Sequence, residues 1–464
     1  TGGIAFLIGA PSLKLKGHYL AMATLAFGII IFIIFNEEAQ WTGGPDGMAD
    51  IPGLSIFGFD FDSIEKYFYL VWSFVFVILI FTINVIQSDA GRALRAIHTS
   101  EAAANSMGVN VSKFKIMVFV YSAILASLAG SLYAHYLNFI NPSTFDLFFS
   151  IKLLIMIALG GMYNIWGAVI GAGLITFLSY EWLHYFEEFE VIVYGAILLL
   201  VTIFLPHGLA GVPGMLKKLF VRQFGGLMAL FKPDFKVKRG TIKAIIGPNG
   251  AGKTTLFNII TGFFPPTEGT VRFKGRSIKK LKTHEIASRG ISRTFQTIEL
   301  FGNMTVLENV MLGCHTRVPT SFMVSGLRLP GAKRKEEEMR ERAVKILKFI
   351  GLADKFEEPA DNLPLGEQKM LEIGRALATE PELICLDEPA AGLNETETYV
   401  ASSLIKAINA KGITVLLVEH DMKVIMNISD EIVVLNYGQK IAEGTPEAIR
   451  DNPKVIEAYL GSEA

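Results

Sequence analysis

Residues 247–255 read GPNGAGKTT, a run of glycines closed by a lysine and two threonines. Gly247, Gly250 and Gly252 let the backbone curl so that successive N–H groups face one point, with Pro248, Asn249 and Ala251 filling the loop between them. Lys253 brings a cation to the β and γ phosphates of a nucleotide, Thr254 offers a hydroxyl to Mg²⁺, and Thr255 completes the turn into a helix. The motif needs a strand before it and a helix after it. TIKAII precedes it as a β-branched run, and LFNIITG follows as a helix start. Further along, LICLDEPAAG (383–392) is an apolar strand ending in Asp387 and Glu388. One carboxylate at a strand end suits Mg²⁺, directly or through water, and the next suits polarising an attacking water. TVLLVEHD (414–421) repeats the buried-strand pattern and ends at His420, a residue type that alone is most often structural. Gln296, in RTFQ, is by itself a surface residue.

These groups need a scaffold, and composition says what kind. The chain has 464 residues, enough for two or three domains. It is 51% hydrophobic and 19% charged, too apolar for an ordinary soluble protein. The apolar text lies almost wholly before residue 206. A net charge of −1 gives no reason to expect a nucleic acid partner. Two cysteines, Cys314 and Cys385, form neither a disulfide framework nor a metal-ligand spacing, which fits a reducing compartment.

Segments 18–35, 67–86, 116–137, 145–162, 165–180 and 191–206 are apolar runs of about the length a bilayer requires, so six crossings are expected. The stretch between 145 and 180 is short and glycine-rich, and one of its two spans is a candidate re-entrant segment; Gly160, Gly161 and the glycines of 167–173 serve helix packing better than a substrate site. Lys14, Lys16, Arg92, Arg95, Lys113, Lys115, Lys217, Lys218 and Arg222 fall on alternate connections, while the intervening ones are acidic or uncharged. The positive-inside rule places those connections, and everything after residue 217, in the cytoplasm.

The polar stretch 91–115, GRALRAIHTSEAAANSMGVNVSKFK, interrupts the membrane text. Ala93, Leu94, Ala96, Ile97, Ala102, Ala103, Ala104 and Met107 give short helices an apolar face, and Ser100 is placed to cap a turn beginning at Glu101. Such a segment can lie along the membrane and dock on a partner domain. Glu101-Ala102-Ala103 followed by Gly108 resembles the EAA-type coupling loop of ABC importer permeases.

The phosphate loop, RTFQ, LPLGEQ, LDEP and EHD together resemble, in order and spacing, the nucleotide-binding domain of ABC transporters. The resemblance implies ATP and Mg²⁺ as ligands, with Thr254, Gln296 and Asp387 on the metal. It implies Glu388 as catalytic base, His420 as the γ-phosphate switch and Phe224 as the adenine-stacking aromatic. Leu363 and Gly366, in the signature segment, would complete the ATP site of an opposite cassette, so a dimer of cassettes is implied. The signature departs from the family pattern: Leu-Pro-Leu-Gly-Glu carries proline where serine is usual, removing a hydroxyl that would reach the γ phosphate.

The likeness extends to one family. WTGGPDG, GRALRAI, SLAGSLYAHY and ALGGMYNIWGAVIGA resemble a permease of the branched-chain amino acid importers, and GISRTFQTIELFGNMTVLENVMLG resembles their ATPase subunit. A multi-domain chain is expected: an all-α polytopic membrane domain over 1–206, a junction at 207–220, and an α/β P-loop cassette over 221–464. The resemblance implies that the permease's first spans are missing from this chain. It further implies a bacterial inner membrane protein working with a second permease, a second ATPase subunit and a periplasmic solute-binding protein to import leucine, isoleucine or valine. Urea and short amides are alternative solutes within this transporter type. A soluble cassette acting on ribosomes or DNA is at odds with six spans, and an exporter with the short EAA-type loop.

Overall fold

The computed structural model describes residues 1–13, 18–56, 58–161, 165–181, 193–197, 199, 230–231, 233–317 and 322–460. The chain divides into two compact units, Thr1–Ile83 with Lys115–Gln223, and Asn84–Phe114 with Phe224–Ala464. The polar stretch expected above to dock on a partner domain does so: residues 84–114 pack with the second unit.

The first unit is built from the apolar runs. Helices His18–Glu37, Ile64–Ile86, Val111–Leu137, Leu147–Gly160 and Ile165–Glu181 occupy five of the six expected segments; most of 191–206 lies outside the described residues. A further helix, Gly2–Ser12, opens the chain. By length and apolarity the described residues hold three full spans, Ile64–Ile86, Val111–Leu137 and Pro142–Gly160. Thr24–Glu37 with Ala39–Asp46, bent by 84°, adds a fourth where that pair counts as one broken span, and most of the sixth expected run, 191–206, lies outside the described residues. The bend falls at Glu38, whose backbone leaves the helical region at φ −85 and ψ 62. Ile165–Glu181 is a shorter apolar helix of 17 residues. Its glycines pack rather than break it: a Cβ on Gly160 would lie 1.8 Å from the Gly167 carbonyl oxygen, and one on Gly171 1.9 Å from that of Met156. Small residues let the two backbones touch. Between Ile64–Ile86 and Val111–Leu137, the Tyr67 hydroxyl donates to the Leu132 carbonyl at 2.6 Å and Thr82 meets Tyr121 at 2.7 Å. Two short strands, β1 (Ser55–Ile56) and β2 (Phe59–Asp60), form an antiparallel pair that the all-helical reading of this half lacked.

The second unit holds a separate antiparallel pair, β4 (Arg272–Phe273) and β5 (Arg276–Ser277), and a six-stranded sheet. The sheet strands are β3 (Ile242–Ile246), β6 (Ile291–Arg293), β7 (Leu383–Asp387), β8 (Thr414–Val418), β9 (Glu431–Asn436) and β10 (Gln439–Gly444), in the spatial order β10-β9-β3-β8-β7-β6. All neighbours are parallel except β10, which returns antiparallel along β9. Every residue of β3, β7 and β8 is buried, because a parallel strand is covered on both faces; Lys243, the charged residue within β3, pairs with Glu431 and Glu443. Ile384, Leu386, Val415 and Leu417 face one core with Val310, Leu371 and Ile405. Cys385, Leu416 and Val418 face another with Phe257 and Ile286. Burial raises both cysteine thiols to about 12, so neither is a reactive thiol at neutral pH.

Candidate functional site

The chemistry-bearing residues gather where β3, β7 and β8 end, as expected of an open parallel sheet. β3 runs into Gly247 and the loop closes on the helix Lys253–Ile260. Gly247 has φ 153, and a Cβ there would sit 2.1 Å from the Leu435 carbonyl oxygen, so only glycine fits. Gly250 and Gly252 are left-handed at φ 82 and 95. Lys253 folds back on its own loop, its Nζ donating to the carbonyls of Gly247 at 2.7 Å and Pro248 at 3.0 Å. Burial lowers the pKa of this ammonium, against the opposing pull of Glu388 and Asp387. Asn249, Gly250 and Thr254 are exposed, Pro248 and Thr255 half-buried, and Ala251 buried.

Across from this loop, β7 delivers Asp387 and Glu388. The Glu388 backbone is left-handed at φ 51, an uncommon state for a non-glycine residue. It is held there from both sides: its N–H donates to the Val418 carbonyl at 2.9 Å, and its own carbonyl accepts from Lys369 Nζ at 2.9 Å. Its Oε1 accepts from Gln296 Nε2 at 3.0 Å and lies 3.0 Å from His420 Nε2. Residues 296, 388 and 420 therefore converge on one carboxylate, which their separation along the chain concealed. Asp387 is buried, and burial raises its pKa, opposed by Arg293, whose guanidinium donates to Oδ2 at 2.9 Å. Asp387 Oδ1 has no hydrogen-bond partner among the described residues. A buried, unsatisfied carboxylate oxygen, an exposed threonine hydroxyl and a glutamine are oxygen donors of the kind that fit a hard divalent cation.

Several supporting residues escaped the sequence reading. Arg293 sits among the rings of Phe257, Phe263 and Phe295, with centroids 5.3 to 5.7 Å away, and also donates to Asn258 Oδ1 at 2.5 Å. Phe295 N–H donates to the buried Glu372 at 2.9 Å, which fixes the approach of Gln296. Buried Glu419 accepts the N–H groups of Ala390 and His420, setting the turn from which His420 projects. Arg293 and Glu419 were in view as the first letters of RTFQ and EHD; Glu372 carried no signal beyond its charge.

Leu363 and Gly366 are not brought to this carboxylate. Leu363 is buried, and its carbonyl accepts from Gln368. Gly366 lies in the first turn of the helix Leu365–Leu377, where a Cβ would meet Glu397 Oε1 at 2.7 Å. Pro364 occupies the helix N-cap without a side-chain cap, as a proline must. Phe224 lies outside the described residues.

The 84–114 segment forms a second site. Helices Asp89–Thr99 and Glu101–Ser106 bury Ala93, Ala96, Ile97, Ala103, Ala104 and Met107, whereas Leu94 is half-buried and Ala102 exposed. Ser100 caps the second helix, accepting from Ala103 N–H at 3.2 Å. Gly108, at φ 86, is pressed against the cassette: a Cβ there would fall 1.9 Å from Thr316 Cγ2. Ion pairs ring the apolar contact. Arg95 grips Glu308 at 2.6 Å, the buried Arg92 pairs with Glu336, and His315 Nδ1 meets the buried Asp89 at 2.7 Å.

Residues 1–202 match the family described as Branched-chain amino acid transport system / permease component. Residues 230–391 match ABC transporter, and 439–464 match Branched-chain amino acid ATP-binding cassette transporter. The second half is 46% identical over 240 residues to the High-affinity branched-chain amino acid transport ATP-binding protein BraF of Pseudomonas aeruginosa, covering 52% of this chain and 94% of that protein. The chain belongs to the branched-chain amino acid ABC transporter family. The LivG protein of Salmonella typhimurium, of the same description, is also 46% identical over 240 residues, with 52% and 94% covered. The Probable branched-chain amino acid transport ATP-binding protein LivG of Methanocaldococcus jannaschii is 40% identical over 245 residues, with 52% and 95% covered. In this family's terms the second unit is an ATP-hydrolysing cassette, and the first carries the apolar helices of a permease. Two functions are joined in one chain.

Proposed function

We propose that this chain imports branched-chain amino acids across a bacterial inner membrane by hydrolysing ATP, as the fused permease and ATPase component of a larger transporter. The observation that carries the hydrolytic part is the convergence of Gln296 and His420 on the Glu388 carboxylate beside a phosphate loop. In this reading the N–H groups of residues 247–255 and Lys253 bind the β and γ phosphates. Glu388 takes the proton of the attacking water, His420 holds that carboxylate in place and touches the γ phosphate, and Gln296 positions the water. Thr254, Gln296 and Asp387 would hold Mg²⁺, which, when bound, neutralises charge on the phosphate oxygens. Phe224 stacks on adenine.

Leu363 and Gly366 serve the ATP site of a second cassette. That makes a second ATPase subunit and a second permease part of the assembly. A periplasmic binding protein delivers solute. The basic connections face the cytoplasm with the cassette. The 84–114 segment passes cassette closure to the spans, and ATP shifts the balance between two access states.

The test is uptake of labelled leucine and urea by proteoliposomes holding the full chain with its partner subunits and binding protein. Leucine uptake that Glu388→Gln abolishes supports the reading. Uptake of urea alone overturns the solute, and active ATPase with no uptake of either overturns import.

A further inference from the structure

A cavity of about 460 Å³ lies within the second unit, between the 84–114 segment and the cassette helices that receive it. Four cationic and four carboxylate side chains line it. Most are already paired: Arg92 with Glu336, Arg340 with Glu357, and Glu308 with Arg95. Arg328, Lys333 and Glu337 have no ion-pair partner among the described residues. Arg92 Nε and Ser325 Oγ, in residues that are 2% and 3% exposed, make no hydrogen bond. Arg328 is also held left-handed, at φ 50. Buried Leu307 and Met311 supply an apolar floor.

We infer that this cavity is an effector site for a free amino acid. The lining decides the class. A simple anion would meet four carboxylates, a simple cation four guanidinium or ammonium groups, and a nucleotide's phosphates would be repelled by the same carboxylates. A small zwitterion satisfies both signs, its carboxylate on Arg328 and Lys333, its ammonium on Glu337, and an aliphatic side chain on Leu307 and Met311. The volume lies within the range of small-molecule sites. The inference rests on the proposed solute: the cytoplasmic product of import would be a ligand of this kind. The ligand carboxylate also accepts from the unpartnered Nε of Arg92, on the coupling segment, so a bound amino acid ties that segment to the cassette and favours the docked arrangement. Accumulated product would thereby slow its own import.

The test is calorimetric titration of the purified full chain, without any binding protein, with L-leucine, isovalerate and isoamylamine. Expected is leucine binding, weakened about tenfold or more when either the ammonium or the carboxylate is missing, and weakened similarly by Arg328→Gln and by Glu337→Gln. Both residues are exposed, so neither substitution should alter the melting curve. Absent leucine binding, or binding indifferent to both substitutions, overturns the site. Variant-sensitive binding in a chain whose proteoliposomes do not take up leucine overturns the proposed transport and leaves the effector site standing.

Discussion

The nucleotide site and the coupling dock belong to one compact unit and are built on opposite plans. At the nucleotide site the acting groups are open: Gln296 and His420 are exposed, Glu388 is half-buried, and buried residues such as Arg293, Glu372 and Glu419 only hold them. At the dock the acting groups are closed. Ala93, Ala103, Ala104 and Met107 are fully buried, and the charges beside them are already paired. A site that must admit water and a polyphosphate keeps its reactive atoms accessible and spends backbone strain on aiming them, as at Glu388. A joint that must transmit motion buries its apolar contacts and pairs the charges that ring them. Substitutions should therefore act on rate at the first site and on coupling at the second.

The largest expected effect tests the first half of that contrast. Glu388→Gln keeps the shape and the hydrogen bond to Gln296 but removes the base. ATPase turnover should fall by about 10²-fold or more with nucleotide binding retained. Loss of binding along with turnover would mean the residue holds structure instead.

Next comes Gly108→Val, which needs both a left-handed backbone and the space of Thr316 Cγ2. Solute moved per ATP hydrolysed should fall roughly tenfold, and the purified chain should keep its mant-ATP affinity. Equal loss of transport and nucleotide affinity would erase the distinction between the two sites.

A smaller effect concerns pH. Burial raises the pKa of Asp387, so this carboxyl takes up a proton at a higher pH than an ordinary aspartate does, and the charged form exists only above that raised value. Arg293 opposes the shift. Arg293→Met should move the acid limb of the ATPase pH profile upward. The sign for stability follows: the penalty of burying the charged form is absent below the unfolded pKa, where the group is neutral in both states. Above the raised folded value it is complete. The variant should be most destabilised at neutral pH, with the deficit shrinking in acid, as read by thermal melts across pH.

The smallest effect is expected at Arg95–Glu308, a partly exposed pair. A double-mutant cycle with Arg95→Gln and Glu308→Gln should give a coupling of about 0.5–1 kcal/mol that shrinks in high salt. A null cycle would assign the dock to its apolar contacts alone.

Local chemistry made much of this legible in advance. GPNGAGKTT fixes its own geometry because three glycines and a lysine at that spacing have few other uses, and β7 and β8 show their double-sided burial as apolar runs, whereas β3 carries the buried Lys243 within its run. The apolar face of 91–107 was visible too, with two corrections: Ala102 turned outward and Leu94 stayed half-exposed, because the break at Ser100 resets the helical phase. Apolar length does not register the bend at Glu38 or how closely two glycine-lined helices pack.

By itself, then, the sequence determined the classes of element, the phosphate loop and the two halves of the chain, since each depends on residues a few positions apart. Only the tertiary structure decided that Gln296 and His420 share one oxygen of Glu388, that Arg293 holds Asp387, and that 84–114 belongs with the cassette. Those relations join residues separated by tens to hundreds of positions. They follow from how parallel strands are ordered and how helices close over them, which no local pattern of residue types encodes.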